Sequence, residues 1–279
     1  MTKATIITDE PIIEVISSMQ LHEAGVLNMA KWIERYRPKC VPEGGFNKIT
    51  DLLPHDGLRA DGTKVTDNEL LAELAGRKCY DSFAEQGAPR SNEEYLNSMW
   101  KGRVPHRSTG YHPHMTFFIA HVSRRVSHEL IRNYVGHAKD EEGAPSQEST
   151  RFTHHPGTYI AHPRDLEDLT ELAMFEERAT ANYRDYVNTI QRKETRFFQR
   201  TGASPKGLDK KRIYESCAGD LLMSCGTSFI WTTNPMALAK FFFERDDEAA
   251  DLEMCRFARK WKKICNEWWP GLFSFTKGA

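Results

Sequence analysis

Residues 121–152 read HVSRRVSHELIRNYVGHAKDEEGAPSQESTRF, and this stretch decides the fold and the site. It follows directly on Met115-Thr116-Phe117-Phe118-Ile119, a mostly apolar, β-favouring run that reads as a strand. Ser123 is a helix N-cap candidate. Val122, Val126 and Leu130 recur every four residues and should face a core, while Arg125, Glu129 and Arg132 share the adjacent face. After a charged, glycine-containing loop comes the compact run Ser146-Gln147-Glu148-Ser149-Thr150-Arg151. No hydrophobic core needs that composition. Three hydroxyls beside an arginine that can fork onto phosphate suit a site for phosphates and a polar heterocycle. The plainer readings are a polar loop with an N-cap serine, and a solvated helix face with an i,i+4 Arg–Glu pair.

Working outward, the 279-residue length suits one or two domains with a sizeable core. A net charge of -1 argues against a general nucleic-acid binder and leaves the local basic residues for a small anionic ligand. The apolar runs are too short to span a bilayer, and the N-terminus lacks the apolar stretch of a secretory signal. The six cysteines form no CxxC pair, which speaks against a zinc ribbon and a disulfide scaffold. The expectation is a soluble cytoplasmic protein with reduced thiols, no membrane and no nucleic acid.

The spacing predicts helices over Val15–Tyr36, Asp67–Lys78, about 165–200 and about 208–230. One more starts at Asn234-Pro235, and a last one carries Met254, Phe257, Ala258, Trp261, Ile264 and Trp268. Gly202 should stop the long helix. Thr158–Ala161 reads as a second strand, and 38–64 and 84–113 as loop-rich.

Nine of the eleven histidines fall between His106 and His162. His112, His114, His121 and His128 invite a metal-dependent enzyme as an alternative, but no HExxH is present, and structural histidines are the favoured reading. GxGxxG after a strand, GxxxxGK[ST] and GxSxG are all absent. Trp261, Trp268 and Trp269 suit a core or an oligomer interface better than a cofactor box.

These residues resemble the flavin-dependent thymidylate synthases. Val122–Arg132 is similar to the family's helix ending in an Arg-His-Arg motif, and Ser146–Phe152 to its Ser-x-x-Ser-x-Arg signature. Three further blocks agree in order: Ala75-Gly76-Arg77-Lys78-Cys79-Tyr80; His114 before the strand; and Trp231–Asn234 through Arg245 to Ala250–Met254. The resemblance covers about residues 68–270. It implies an α/β (α+β) fold with a central sheet flanked by long helices, built as a homotetramer with shared active sites. Residues 68–279 would form the catalytic domain and 1–67 an N-terminal extension packed on it. It further implies C5-methylation of a uridine monophosphate, dUMP and/or UMP, with FAD, NADPH and methylenetetrahydrofolate, no metal and no cysteine nucleophile.

By the same resemblance, Arg132, Ser149 and Arg151 are the catalytic candidates. Glu129, Arg132, Gln147, Glu148, Ser149, Arg151 and Arg245 would contact the nucleotide. Ser108 or Thr109, with Arg132, Asn133, Tyr134, His137 and Asn234, would contact the flavin side. The departures are specific. Arg132-Asn133-Tyr134 replaces Arg-His-Arg, and the segment up to Ser146 is longer. An arginine is missing near Ala218, with Arg212 the closest replacement, and Met236 stands where a flavin-side arginine is expected. The long loop Val135–Pro145 reads as a lid that sets sugar tolerance, with Asn133, Tyr134 and His137 as partners for a 2′-hydroxyl. Such departures point to a divergent branch, resembling one that methylates UMP as well as dUMP in nucleoside-antibiotic biosynthesis, or to a non-catalytic nucleotide-binding relative.

Overall fold

The strand that begins at Met115 runs through to Ser123 (β3), beyond the expected end at Ile119. Its residues alternate between buried and half-buried up to Ile119. The alternation breaks at Ala120, which is buried like Ile119; His121 takes a left-handed φ of 56°, and Val122 and Ser123 beyond it are both buried. Helix α4, Arg124–Tyr134, follows at once. Ser123 Oγ accepts from Val126 N at 3.4 Å, as the N-cap reading requires, and the Cys225 and Met223 carbonyls take the Arg124 and Arg125 amides. Val122, Val126 and Leu130 are buried, as their spacing predicts.

A computed structural model describes residues 2–84, 90–101, 106–134 and 145–276, without the side chains of 132–134 and 275. The elements in order are β1 (Thr5–Ile7), β2 (Ile12–Ser18), α1 (Glu23–Tyr36), α2 (Asp67–Tyr80), α3 (Asn92–Trp100), β3 and α4. After them come β4 (Ser146–Gln147), β5 (Thr158–Ile160), α5 (Leu169–Thr201), α6 (Gly207–Ala218), β6 (Gly226–Thr233), α7 (Pro235–Arg245), α8 (Leu252–Trp268) and α9 (Pro270–Phe273). The fold is mixed α/β. β1 pairs with β5 in parallel, and a four-stranded sheet has the order β2-β3-β6-β4.

Two compact units form: Met1–Glu14, Phe117–Trp231 and Glu248–Phe257 in one, and Val15–Thr116, Thr232–Asp247 and Ala258–Ala279 in the other. The units do not divide at residue 67. β1 belongs with its partner β5 in the first unit. Ala30, Ile33, Leu52, Leu53 and Val65 share one core with Leu70 and Leu74 of α2, so that part of the N-terminal segment is built into the second unit.

Further sequence expectations need correction. Val15–Tyr36 is not one helix: its β-branched start completes β2, and α1 begins only at Glu23. The loop-rich segment 84–113 contains α3, started by the capping box of Ser91 and Glu94. The helix expected over 208–230 ends at Ala218, and Gly226-Thr-Ser-Phe-Ile-Trp-Thr-Thr233 pairs as β6. Short apolar runs read equally as helix or strand, and here β-branched and aromatic residues decide. In α8, Trp268 is 51% exposed while Cys265 and the adjoining Trp269 are buried. The C-terminal half of the stripe therefore follows 261, 265 and 269. The long helix α5 ends at Gly202 as expected, with φ 72°. The apolar stripe read from the spacing as Leu169, Leu172, Ala179, Tyr183, Tyr186 and Ile190 differs at its start, where Leu169 is exposed and Phe175 joins Ala179, Tyr186 and Ile190 in the core.

Candidate active site

In the first unit the signature run is held at both ends. Ser146 and Gln147 pair antiparallel with Ile230 and Phe229 of β6. The Gln147 amide donates to Ser127 Oγ on α4 at 2.9 Å and to Thr227 Oγ1 on β6 at 3.0 Å. Arg124 donates to the Glu148 carbonyl at 2.9 Å. A tight turn follows, in which the Ser149 carbonyl accepts from both Thr153 N and Thr153 Oγ1, and Ser149 Oγ accepts from Arg151 N. Beyond it, buried His155 ties the chain down. Its Nε2 meets the Gly226 carbonyl at 3.3 Å, its Nδ1 accepts from Gly157 N at 3.1 Å, and its amide donates to Tyr186 Oη. That pattern requires a neutral imidazole. Burial first, and then the nearby Arg124 and His154, hold its pKa below the ordinary 6.5 against the opposing carbonyl bond. Gly157 is required here: at φ +85° a Cβ would come within 2.5 Å of the Tyr183 ring.

Between these anchors the turn presents its chemistry outward. The Arg151 side chain is 59% exposed, with an ion-pair contact to Glu215 of α6 at 3.6 Å. Phe152 is exposed beside it, with Lys211 of α6 5.1 Å from the ring centroid. A cation on a tethered turn is ready for an anionic group at little further ordering cost.

The basic face of α4 divides in two. Arg125 is structural: it donates to Glu253 at 2.6 Å, and the same buried carboxylate accepts from Ser123 N and Ser123 Oγ. Glu253 therefore clamps the start of α4. Glu129 is half-buried on that helix. Arg132, Asn133 and Tyr134 complete its backbone, their side chains lying outside the described residues, as do His137 and the loop 135–144. Arg212 lines the groove between α5 and α6, whereas Lys211 and Glu215 are the α6 residues that meet the signature turn.

Of the flavin-side candidates, the second unit holds Ser108, Thr109 and Asn234. Asn234 caps α7, its Oδ1 accepting from Ala237 N at 3.0 Å. Met236, the second residue of α7, packs so closely on the Arg107–Tyr111 turn that a Cβ on Gly110 would meet its Cε at 2.7 Å. Ser108 and Thr109 are thus brought to the start of α7. The Thr109 hydroxyl is spent internally, accepting from Trp100 Nε1 and donating to the His106 carbonyl, whereas Ser108 is exposed. Arg245 lies in the last turn of α7. An exposed hydroxyl beside a capped helix N-terminus fits the anionic diphosphate of a dinucleotide cofactor.

Among the described residues no three His, Cys, Asp or Glu side chains are placed to hold a metal ion, so the His112–His128 alternative gains no support. No described helix is long and apolar enough to cross a membrane. Cys217, Cys225, Cys255 and Cys265 are buried, and burial pushes the Cys225 and Cys265 thiols up, away from the reactive thiolate. Sequence reasoning gave no role to Glu253, Arg124 or His155. Glu253 stood in a quoted block, and His155 was one of many histidines; neither carried a signal of its distant partners.

Residues 63–271 match the family model described as thymidylate synthase complementing protein. A flavin-dependent thymidylate synthase of Mycobacteroides abscessus is 31% identical over 199 residues, covering 70% of this chain and 74% of that protein. Another, from Corynebacterium aurimucosum, is 30% identical over 216 residues, covering 75% and 80%. Among solved structures, the UMP/dUMP methylase PolB from Streptomyces cacaoi bound with 5-Br UMP matches with a TM-score of 0.56 at 14% identity, covering 98% of this chain and 96% of that one. Its complex with 5-Br dUMP gives 0.58 at 13% identity, covering 97% and 96%. That likeness establishes the fold, of the mixed α/β class. With the match over most of the chain, the protein belongs to the flavin-dependent thymidylate synthase family, as a divergent member.

Proposed function

We propose that this protein methylates C5 of a uridine monophosphate, accepting UMP along with dUMP, with FAD, NADPH and methylenetetrahydrofolate, in a homotetramer. One observation carries the reading: a tethered turn that holds the Arg151 guanidinium out to solvent beside Ser149. A charge-assisted fork from Arg151 would hold the nucleotide phosphate or the polarised base. Gln147, through the amide oxygen left over from its two donated bonds, Glu148, Glu129 and Arg245 would complete the nucleotide contacts. When bound, reduced flavin would supply the hydride and the folate the one-carbon unit. Arg132 would stand between nucleotide and flavin and stabilise charge developing on the ring. Asn234 and Ser108, with Asn133, Tyr134 and His137, would hold the flavin side. Burial that raises the Cys225 and Cys265 thiols speaks against a nucleophile at either position. Exposed Leu169, Met174, Phe198 and Phe243 support an assembled state. UMP acceptance is supported by the rearranged Arg132–Tyr134 motif and by the name of the structural neighbour.

The test is product formation from UMP and from dUMP with all three cofactors, on protein whose absorbance shows bound flavin. C5-methylated product from both is expected. Flavin-loaded protein that methylates neither would leave a nucleotide-binding relative without turnover. Folded protein that takes up no flavin would remove the reading altogether.

A further inference from the structure

We propose that the groove between α5 and α6 is a second binding site, for a small linear polyanion whose phosphates or carboxylates spread over about 10 Å, the rise of the cationic stripe along α5. The groove measures about 320 Å³. From α5 it takes Lys193, Arg196 and Arg200, spaced i, i+3 and i+7 on one helix face, and from α6 it takes Arg212. Asp209 is the one carboxylate in the lining, and Phe197 and Ile213 supply apolar surface. Lys193 is fixed in place by Ser216, at 2.7 Å to the hydroxyl and 3.1 Å to the carbonyl. No described carboxylate forms an ion pair with Arg196, Arg200 or Arg212, whereas Lys211 reaches Glu215 and both Arg259 and Lys262 reach Asp246. The stretch 192–216 holds eight basic and three acidic residues in a chain whose net charge is -1. Like charges gathered on two facing helices repel, so the arrangement costs stability until an anion enters. Guanidinium forks recognise phosphate and carboxylate alike. The groove is distinct from the signature turn, which meets α6 through Lys211 and Glu215.

Two sources share this chemistry. One is a γ-linked oligoglutamate tail on the folate co-substrate, which rests on the function proposed above. The other is the triphosphate of a nucleotide effector, which does not. The experiment is calorimetric titration of the flavin-loaded protein with γ-linked tetraglutamate and, separately, with inorganic tripolyphosphate at low salt. The protein is compared with the double variant Arg196→Gln/Arg200→Gln and with a control, Arg178→Gln/Arg184→Gln, on the same helix. At least one probe should bind, with Kd rising at least ~10-fold in the groove variant and unchanged in the control. The tighter probe identifies the source. Without ligand, the groove variant should melt no lower than the unaltered protein, because repulsion is relieved. Absence of binding by both probes, or equal weakening in the control, would overturn the proposal. Because turnover is not the readout, a failed methylation assay leaves this test intact.

Discussion

Two charged clusters look alike in the sequence and behave oppositely in the fold. On α2, Glu69, Glu73 and Arg77 are buried and paired inside the fold. Glu73 accepts from Arg77 Nε and Asn92 Nδ2 at 2.7 Å each and meets His55 Nε2 at 3.0 Å. Glu69 accepts from Arg59, from Thr66 and from the Gly271 amide. Burial pushes the Glu73 carboxyl up, but His55, Arg77 and Asn92 outweigh it, and the net shift is down. The Arg77 guanidinium also lies 4.3 Å from the Tyr95 ring centroid, and burial raises that phenol to about 12. In the signature turn, by contrast, Arg151 is held from behind and left open in front. A charge whose partners are all internal serves the fold; a charge on a tethered, open turn serves a ligand. Both segments belong to blocks through which the family is recognised, so resemblance alone does not separate the two roles.

The largest effect should come from the buried cluster. Glu73→Ala strands Arg77 in the interior and should cost about 3–5 kcal/mol in urea unfolding. A loss below about 1 kcal/mol, the range of exposed ion pairs, would erase the contrast. Next comes Gly157→Ala, which combines left-handed strain of about 1–3 kcal/mol with the Tyr183 clash. Its melting temperature should fall and nucleotide affinity with it, because the anchor behind the turn moves; full affinity in a destabilised variant would disconnect His155 from the site. Acid should act through the same anchor. The His155 pKa is depressed in the folded state, so its contribution is complete above 6.5. It is lost as pH falls below that value, because the unfolded chain takes up the proton first. Stability measured from about pH 7 to about pH 5, across the ordinary histidine range, should decline less steeply in His155→Gln; parallel slopes would refute the assignment. The smallest effect is expected for the stability of Arg151→Ala, within about 0.5 kcal/mol of the unaltered protein, as suits an exposed side chain.

What could be read from the chain followed local rules. Ser123, Asn234-Pro235 and Gly202 mark helix ends through capping chemistry that needs no distant partner. The apolar step Val122, Val126, Leu130 fixed the buried face of α4. What stayed hidden depends on separation. Arg125 finds Glu253 128 positions away, and Gly271 reaches Glu69 across 202. Nothing local distinguishes such an arginine from Arg151. The switch from helix to strand at 226–233 was hidden for another reason, since strand pairing with β4 and not local preference settles an ambiguous apolar run. Likewise, only the packed structure tells Trp268 from Trp269.

The central claim is that Arg151 is a ligand-binding charge carried by a turn built for it. Calorimetric titration of flavin-loaded Arg151→Ala with dUMP tests it most directly. The expected result is at least ~10-fold weaker binding, from the loss of a charge-assisted hydrogen bond, with the melting temperature unchanged. Unchanged dUMP affinity in the folded variant would contradict the account and make Arg151 an ordinary surface residue.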